Sequence, residues 1–222
     1  MPLILAVDTT SEYGSLALER DGELLEEALL HAPTGFSEVL YGELSRLLAR
    51  HAVKAADIAC FAAASGPGTF TGVRVALACV KGLAEALGRP AVAVSNLLAV
   101  SRFGTAALRG VALDARRGEI YGAVYDDSGK LVSAEVVAKL APWLEGLPAG
   151  VGEFLSNDLE LDLAGTRFSG ARVVMAPRPL AGTIARIAGE RLARGEASDP
   201  AALDANYVRR TDAELALKLM IK

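Results

Sequence analysis

The sequence is poor in the features that mark secreted and membrane proteins. Only two cysteines occur among 222 residues, too few for a disulfide framework, and both Cys60 and Cys79 stand in apolar surroundings. No run of about 18 uninterrupted apolar residues is present, so no membrane span is predicted. Met1 and Pro2 lead directly into a strand pattern without a basic leader, which argues against secretion. These absences favour a protein of the reducing cytoplasm, with no membrane contact.

The sequence also lacks an excess of positive charge. Its formal net charge is −4, from 23 basic and 27 acidic residues. The basic doublets Arg116–Arg117 and Arg209–Arg210 are too small to bind a nucleic-acid backbone, which needs several cations on one surface. We therefore expect that this chain does not bind nucleic acid by itself.

Histidine is scarce, and this bears on catalysis. His31 and His51 stand twenty positions apart, and neither has a histidine or an acidic residue four positions later. No cluster of His, Cys, Asp and Glu has the spacing of zinc or iron ligands, so no metal site is predicted. Ser11, Ser15, Ser65 and Cys60 have no histidine partner in the sequence that would form a triad, whereas a peptidase nucleophile needs a positioned base. We expect neither catalytic residues nor a metal.

What the sequence does contain is an internal repeat. Its opening reads as an apolar strand ending on Asp8, a polar turn, a strand of period two, a glycine turn at Gly22 and a third strand. The same order recurs 106 positions later, with Asp114 and Gly129 in register after one insertion. The repeat predicts two equivalent halves with a ligand cleft between them. A chance likeness of two hairpins is the alternative.

Helices and strands alternate after each set of three strands. In the first half we predict strands at 3–8, 13–20, 23–30, 58–64 and 91–95, and helices at 36–51 and 71–87. In the second we predict strands at 110–114, 119–126, 131–137, 149–153 and 171–175, and helices at 138–146 and 180–194. A helix around 97–108 is expected to bridge the halves. This pattern indicates an α/β protein with mixed sheets, divided into a first lobe at 1–96 and a reduced second lobe at 97–222, whose C-terminal segment returns to the first lobe.

A glycine-rich loop, Ser65–Arg74, joins a buried strand to a helix. Gly66 and Gly68 permit a tight turn, and a turn of this kind can present backbone N–H groups to an anion. The loop lacks the Gly-Lys-Ser/Thr ending of a P-loop and the spacing of a dinucleotide fingerprint. A plain turn and a ligand or partner contact both stay open. Phe70 and Arg74 favour the contact, because a turn alone does not need them.

The helix predicted at 71–87 is apolar around nearly its whole circumference, interrupted only by Arg74, Lys81 and Glu85. Such a helix must be covered on both sides. One side is expected to pack on its own sheet and the other on a partner, with a second helix of the same chain as the alternative. The predicted partner interface consists of Phe70, Val73, Arg74, Ala76, Leu77, Val80 and Leu83, and the helix at 36–51 is expected to join it.

Four motifs in order resemble those of a known family along essentially the whole chain. They are Ile4–Thr10, Ser65–Arg74, Asp114–Tyr121 and Asn206–Arg210. With them the sequence resembles the TsaB (YeaZ) family, bacterial proteins that serve the machinery installing threonylcarbamoyladenosine beside tRNA anticodons. One departure is Phe36, where the family often has histidine, so the role of that histidine stays open here.

The resemblance implies a fold and a function. The fold is the actin-like, ribonuclease H-like duplicated α/β fold, with two lobes that each hold a mixed sheet flanked by helices, the second lobe being reduced. The function is that of a non-catalytic subunit for threonylcarbamoyl transfer to adenosine 37 of tRNAs reading codons that begin with adenine. The partners implied are a TsaD-like catalytic paralogue, which carries the metal, and a TsaE-like ATPase, with tRNA bound only through the complex. A homodimer of the isolated chain stays open. The family has also been called glycoprotease-like because of its relation to that paralogue.

The alternative is an ATPase of this fold or a small-molecule kinase. The superfamily places phosphate and magnesium contacts where this chain has Asp8, Thr9, Thr10, Asp114 and Arg116, and an aspartate at a strand end can hold Mg²⁺ through water. Both turns, however, carry bulky side chains and a glutamate instead of glycines, and these would repel phosphate. We therefore expect a vestigial nucleotide cleft whose aspartates cap turns, and no cofactor. Weak binding of ATP or ADP, or binding at a joint interface, stays open.

Overall fold

The computed structural model describes residues 2–209, which form two five-stranded sheets and the helices around them. The first half contains β1 (Leu3–Asp8), β2 (Tyr13–Arg20), β3 (Glu23–His31), α1 (Leu40–Arg50), β4 (Cys60–Gly66), α2 (Phe70–Leu87), β5 (Ala91–Ser95) and α3 (Asn96–Ser101). The second contains β6 (Leu108–Asp114), β7 (Ile120–Asp126), β8 (Leu131–Ala138), α4 (Leu140–Gly146), β9 (Glu153–Ser156), β10 (Arg172–Met175) and α5 (Ala181–Ala193). Short 3₁₀ turns lie at Ala55–Asp57 and Pro200–Ala202.

The two sheets have the same strand order. The first runs β3-β2-β1-β4-β5, and the second, read from β8, runs β8-β7-β6-β9-β10. In each, the first three strands are antiparallel and the remaining two extend the sheet in parallel. The expected duplication is therefore confirmed, because corresponding strands occupy the same places in the two sheets. For example, β2 follows Asp8 and β7 follows Asp114, and each is the second strand of its sheet.

Side-chain alternation along β1 explains how the first sheet is covered on both faces. Leu3, Leu5 and Val7 join a core with α1 and α2, whereas Ile4 and Ala6 face a second core with α5. Such a strand is buried on both sides and reads as a continuous apolar run. The second core also contains α3 and the inner face of the second sheet, so it lies between the halves.

Helix α5 follows the second half in sequence yet packs on the first sheet. Its first turn is held there by Ser15, whose Oγ accepts from the backbone N–H groups of Leu180 at 3.2 Å and Ala181 at 3.0 Å. Helix α3 in turn packs on the second sheet. Each half therefore lends a helix to the other. The division into lobes at residue 96 stays a prediction. The last residues of the predicted second lobe, 210–222, lie outside the described residues.

Three predicted elements need correction. Helix α1 begins at Leu40 and not at 36, because Phe36 is buried in the core and its carbonyl accepts from the amides of Val39 and Leu40 in a preceding turn. The bridging helix ends at Ser101, since the chain turns there to enter β6. Strand β9 spans Glu153–Ser156, later than the predicted 149–153. Among the described residues, no helix combines the length and hydropathy needed to cross a membrane.

Candidate functional site

A cleft lies where the two halves meet, at the carboxyl ends of β1 and β6. Its cavity volume is about 150 Å³, and it is partly open to solvent. Its lining comes from the turn after β1, the glycine loop, the start of α3, the turn after β6 and the segment after β9, and comprises Asp8, Thr10, Ser11, Pro67, Gly68, Thr69, Asn96, Leu113, Asp114, Ala115, Arg116, Tyr121, Asn157, Asp158 and Leu180. Of the five residues predicted for a vestigial nucleotide cleft, four line it, and Thr9 does not.

In the first half the turn after β1 is closed by its own side chains. Asp8 is buried and accepts from the backbone N–H of Thr10 at 2.9 Å and from its hydroxyl at 2.6 Å. The Thr10 oxygen in turn accepts from Asn96 Nδ2 at 2.6 Å. Burial raises the pKa of Asp8 above its ordinary value, and the two hydrogen bonds from Thr10 oppose that rise. The carboxylate is thus engaged inside the protein.

The turn after β6 repeats this arrangement at a more exposed position. Asp114 accepts from the backbone N–H of Arg116 at 2.7 Å and pairs with its guanidinium at 3.2 Å. Arg116, Arg117 and Gly118 all have positive φ, at 65°, 58° and 72°. Both aspartates therefore accept from the amide two residues later, and the turn-capping interpretation is confirmed.

The glycine loop packs directly on the first turn. The amide of Gly66 donates to Asn96 Oδ1 at 3.2 Å, that of Thr69 to the Thr10 carbonyl at 2.7 Å, and that of Gly72 to Thr69 Oγ1 at 3.2 Å. These N–H groups already have acceptors within the protein, so a phosphate would have to displace those acceptors to bind them. The loop therefore works as a capped turn in this structure.

Close approach of two backbones explains why glycine is needed in this loop. A Cβ built on Gly72 would lie 2.0 Å from the Thr9 carbonyl oxygen, and one on Gly68 would lie 2.5 Å from that of Thr10. Thr9 also donates its hydroxyl to the Gly72 carbonyl at 2.7 Å. The Thr9 side chain therefore contacts α2 and does not line the cleft, which corrects its predicted place in the site.

Three polar residues of the cleft escaped sequence analysis: Asn96, Asn157 and Asp158. Asp158 accepts from the backbone N–H of Asp114 at 3.1 Å, and burial chiefly raises its pKa, with the charge of Asp114 adding to the rise. Asp158 follows β9, the counterpart of β4. Extending the repeat to that strand would have placed residues 157 and 158 opposite the glycine loop.

The predicted partner interface is only partly at the surface. Val73, Ala76, Leu77 and Val80 are buried in the core beneath α2, which corrects their assignment. They face the first sheet because one side of the helix must cover it. Phe70 and Arg74 are exposed, and Leu83 is half-buried. These three stay as predicted interface residues.

The outward face of α2 carries small residues beside the exposed Arg74 and Glu85. Ala78, Gly82 and Ala86 are exposed, and a Cβ on Gly82 would meet nothing within 4 Å. Beside it, Tyr41 of α1 is 57% exposed, and Phe70 at the start of α2 is 45% exposed. Small side chains flanked by exposed aromatic rings allow another helix to approach closely.

The two histidines take structural positions. His31 stacks on Tyr13 with ring centroids 4.6 Å apart, and His51 Nε2 lies 2.8 Å from a Glu26 carboxylate oxygen at the end of α1. Over residues 2–209, no three His, Cys, Asp or Glu side chains are grouped so as to hold a metal ion.

The sequence is similar to known proteins along most of its length. Residues 31–176 match the family described as TsaD, tRNA N6-adenosine threonylcarbamoyltransferase. The chain is 31% identical to the tRNA threonylcarbamoyladenosine biosynthesis protein TsaB of Bacillus subtilis, over 95% of this chain and 96% of that protein.

Solved structures agree with the sequence comparisons. YeaZ from Pseudomonas aeruginosa is 28% identical, with a TM-score of 0.74 over 93% of this chain and all of that one. Component A of (R)-2-hydroxyglutaryl-CoA dehydratase from Acidaminococcus fermentans, at 12% identity and a TM-score of 0.53 over 87% of this chain and 100% of its own, shares the fold alone. The fold is the expected actin-like, ribonuclease H-like one. The chain belongs to the TsaB (YeaZ) family, within the wider group of TsaD-related proteins.

Proposed function

We propose that this chain is a non-catalytic subunit required for threonylcarbamoyl transfer to adenosine 37 of tRNAs that read codons beginning with adenine. The family relation supports the pathway, since the matched B. subtilis protein is a tRNA threonylcarbamoyladenosine biosynthesis protein. The observation that carries the non-catalytic part is the cleft itself. Its aspartates cap turns, and amides of the glycine loop donate to Asn96, Thr10 and Thr69.

We propose that the catalytic partner is a TsaD-like protein and that it binds the outward face of α1 and α2. The similarity of residues 31–176 to the TsaD family supports a partner of related fold. The exposed small residues of α2 and the exposed Tyr41 and Phe70 suit helix-on-helix packing. A second copy of this chain would use the same face when the partner is absent.

The remaining contacts belong to the assembled complex. We propose that a TsaE-like ATPase joins it and that tRNA is held by the catalytic partner, because this chain is acidic overall. ATP or ADP would then bind weakly or at a subunit interface, and the complex would work in the cytoplasm.

Depletion followed by complementation tests the proposed role. Mass spectrometry of tRNA nucleosides from depleted cells should show less threonylcarbamoyladenosine, and the wild-type chain should restore it. Asp8→Asn should restore it equally, because Asn keeps an acceptor for Thr10 and a scaffold needs no carboxylate there. A normal level after depletion, with no redundant copy present, contradicts the pathway. Failure of folded Asp8→Asn to restore the nucleoside supports the ATPase alternative instead.

The partner surface is tested by Ala78→Arg. Ala78 is exposed on α2, so the free chain should fold normally. Burying an uncompensated guanidinium between subunits should weaken association with the TsaD-like protein about a hundredfold. Ala141→Arg, on the exposed side of α4, is the matched control and should leave the affinity unchanged. Equal affinity of the two variants, measured by titration calorimetry, would show that this face is not the interface.

A further inference from the structure

The C-terminal segment at 203–209 connects parts of the two halves that are distant in sequence. After α5, the chain pairs with β5 through Ala91 and Ser198 and passes along α2 in the 3₁₀ turn Pro200–Ala202. Leu203 is buried in the core beneath α2. The segment is thus fixed to the first half before it reaches the cleft.

At the junction of the halves, Asn206 makes contacts in both directions. Its backbone N–H donates to the Ser65 carbonyl at 2.8 Å, in the glycine loop. Its side-chain amide donates to Glu135 on β8, an edge strand of the second sheet. The same carboxylate accepts from Ser95 at 2.6 Å, where the chain crosses from β5 to α3, and from Tyr125 at 2.5 Å. Glu135 therefore joins the segment, the crossing and the second sheet at one point.

The residues that follow Asn206 continue across the edge of the cleft. The Tyr207 hydroxyl accepts from Arg74 Nε at 2.9 Å, and its ring stacks on Phe70 with centroids 5.7 Å apart. Arg209 then donates to the Ala115 carbonyl at 3.0 Å and to the Glu119 carboxylate at 2.5 Å, both in the turn after β6. The glycine loop and that turn form opposite walls of the cleft.

We infer that residues 203–209 act as a clamp, which keeps the two halves at a fixed separation across the cleft. Proteins with a cleft between two lobes usually open and close by hinge rotation when a ligand binds. Here the segment crosses from one wall of the cleft to the other within a few residues. A chain of that length has a short reach, so the two walls cannot move far apart while both contacts hold. The clamp also fixes Phe70 and Arg74 relative to the second half.

Distance measurement between spin labels tests the clamp in the full chain. Labels are placed at Arg46→Cys in α1 and Glu145→Cys in α4, both exposed and on opposite halves. The native cysteines are buried, and burial raises the pKa of Cys60 to about 12 and that of Cys79 to about 11, so neither competes for the label. The labelled wild-type chain should give one narrow distance distribution.

Removing both anchors should loosen the two halves, which stay joined through the core between them. The combined change Asn206→Ala and Arg209→Ala is expected to broaden the distribution about twofold or add a longer distance. Arg194→Ala, which removes an arginine whose side chain donates to nearby Glu196, is the matched control and should change nothing. An unchanged distribution in the folded double variant overturns the inference. If the double variant does not fold, Arg209→Ala alone, which frees only the second wall, must still broaden the distribution, and a wild-type distribution there overturns the inference equally.

Discussion

The two halves share one strand order but differ in what joins their last two strands. In the first half β4 and β5 are joined by α2, which spans Phe70–Leu87. In the second, β9 and β10 are joined by residues 157–171, which contain no helix. The outer face of the second sheet is covered there by Leu161, Leu163 and Phe168 instead. A sheet face needs an apolar cover, and a few side chains from a loop can supply it.

The difference bears on the proposed partner surface, which lies in the first half. In the first half, α2 has one face in the core and exposes Ala78, Gly82 and Ala86 on the other. The second half keeps its aspartate turn but leaves Asp114 half-exposed, whereas Asp8 is buried. Duplication conserved the sheets, while the elements between strands diverged. Four pairs of substitutions test how far this contrast holds.

The contact between the first turn and α2 should be the most sensitive. Gly72→Ala would place a methyl group 2.0 Å from the Thr9 carbonyl and should lower the free energy of unfolding by about 4 kcal/mol. Gly82→Ala, on the exposed face of the same helix, should instead raise it by about 0.5–1 kcal/mol. Urea denaturation measures both. A loss below 1 kcal/mol for Gly72→Ala would mean that the close approach is not rigid.

The loop that replaces the helix in the second half should carry core energy of its own. Phe168 is buried against Phe154, with ring centroids 5.1 Å apart. Phe168→Ala should therefore cost about 3 kcal/mol of unfolding free energy. Val173→Ala, at a position 44% exposed, should cost about 0.5 kcal/mol or less. Similar losses for the two variants would show that the loop does not substitute for a helix.

The buried aspartate of the first half should affect stability in a pH-dependent way. Because burial raises the folded-state pKa of Asp8, folding favours its neutral form. The cost of the charge is absent below the unfolded-state pKa and is complete above the folded-state pKa. Asp8→Asn should thus gain stability relative to the wild type as pH rises from strongly acidic to neutral. Unfolding free energies measured across that pH range test the trend. A difference from the wild type that stays constant with pH would contradict it. Asp8→Ala, which also loses the acceptor for Thr10, should be less stable than Asp8→Asn at every pH.

The smallest effect is expected in the turn of the second half. Arg116 has a φ of 65°, which costs energy for any residue with a side chain. Arg116→Gly should relieve that strain and add about 0.5 kcal/mol of stability, even though its exposed pair with Asp114 is lost. Arg46→Gly within α1 is the control and should lose about 1 kcal/mol, because there the backbone is helical. Thermal unfolding of both variants measures these changes in stability. Destabilisation by Arg116→Gly would mean that the pair with Asp114 outweighs the strain.

The sequence determined the repeat, the succession of strands along the chain and the capped turns, because these follow from local patterns. The strand patterns of the sequence predicted the bounds of β1 to β3 and β6 to β8 nearly to the residue. The aspartate before each polar turn predicted the hydrogen bonds that Asp8 and Asp114 accept. The helix starting at 36 was wrong because Phe36 is drawn into the core, a tertiary effect that periodicity does not register.

Tertiary structure alone decided which face of α2 is free and what surrounds the cleft. An all-round apolar helix does not indicate by its pattern which side meets the sheet, so four of the seven residues predicted at the interface proved to be buried. Asn96, Asp158 and Glu135 come from separate parts of the chain, and their bonds to Gly66, Asp114 and Asn206 form only in the folded protein. Local patterns specify elements through nearest neighbours, whereas the cleft depends on contacts between residues far apart in sequence, and only the folded chain sets those.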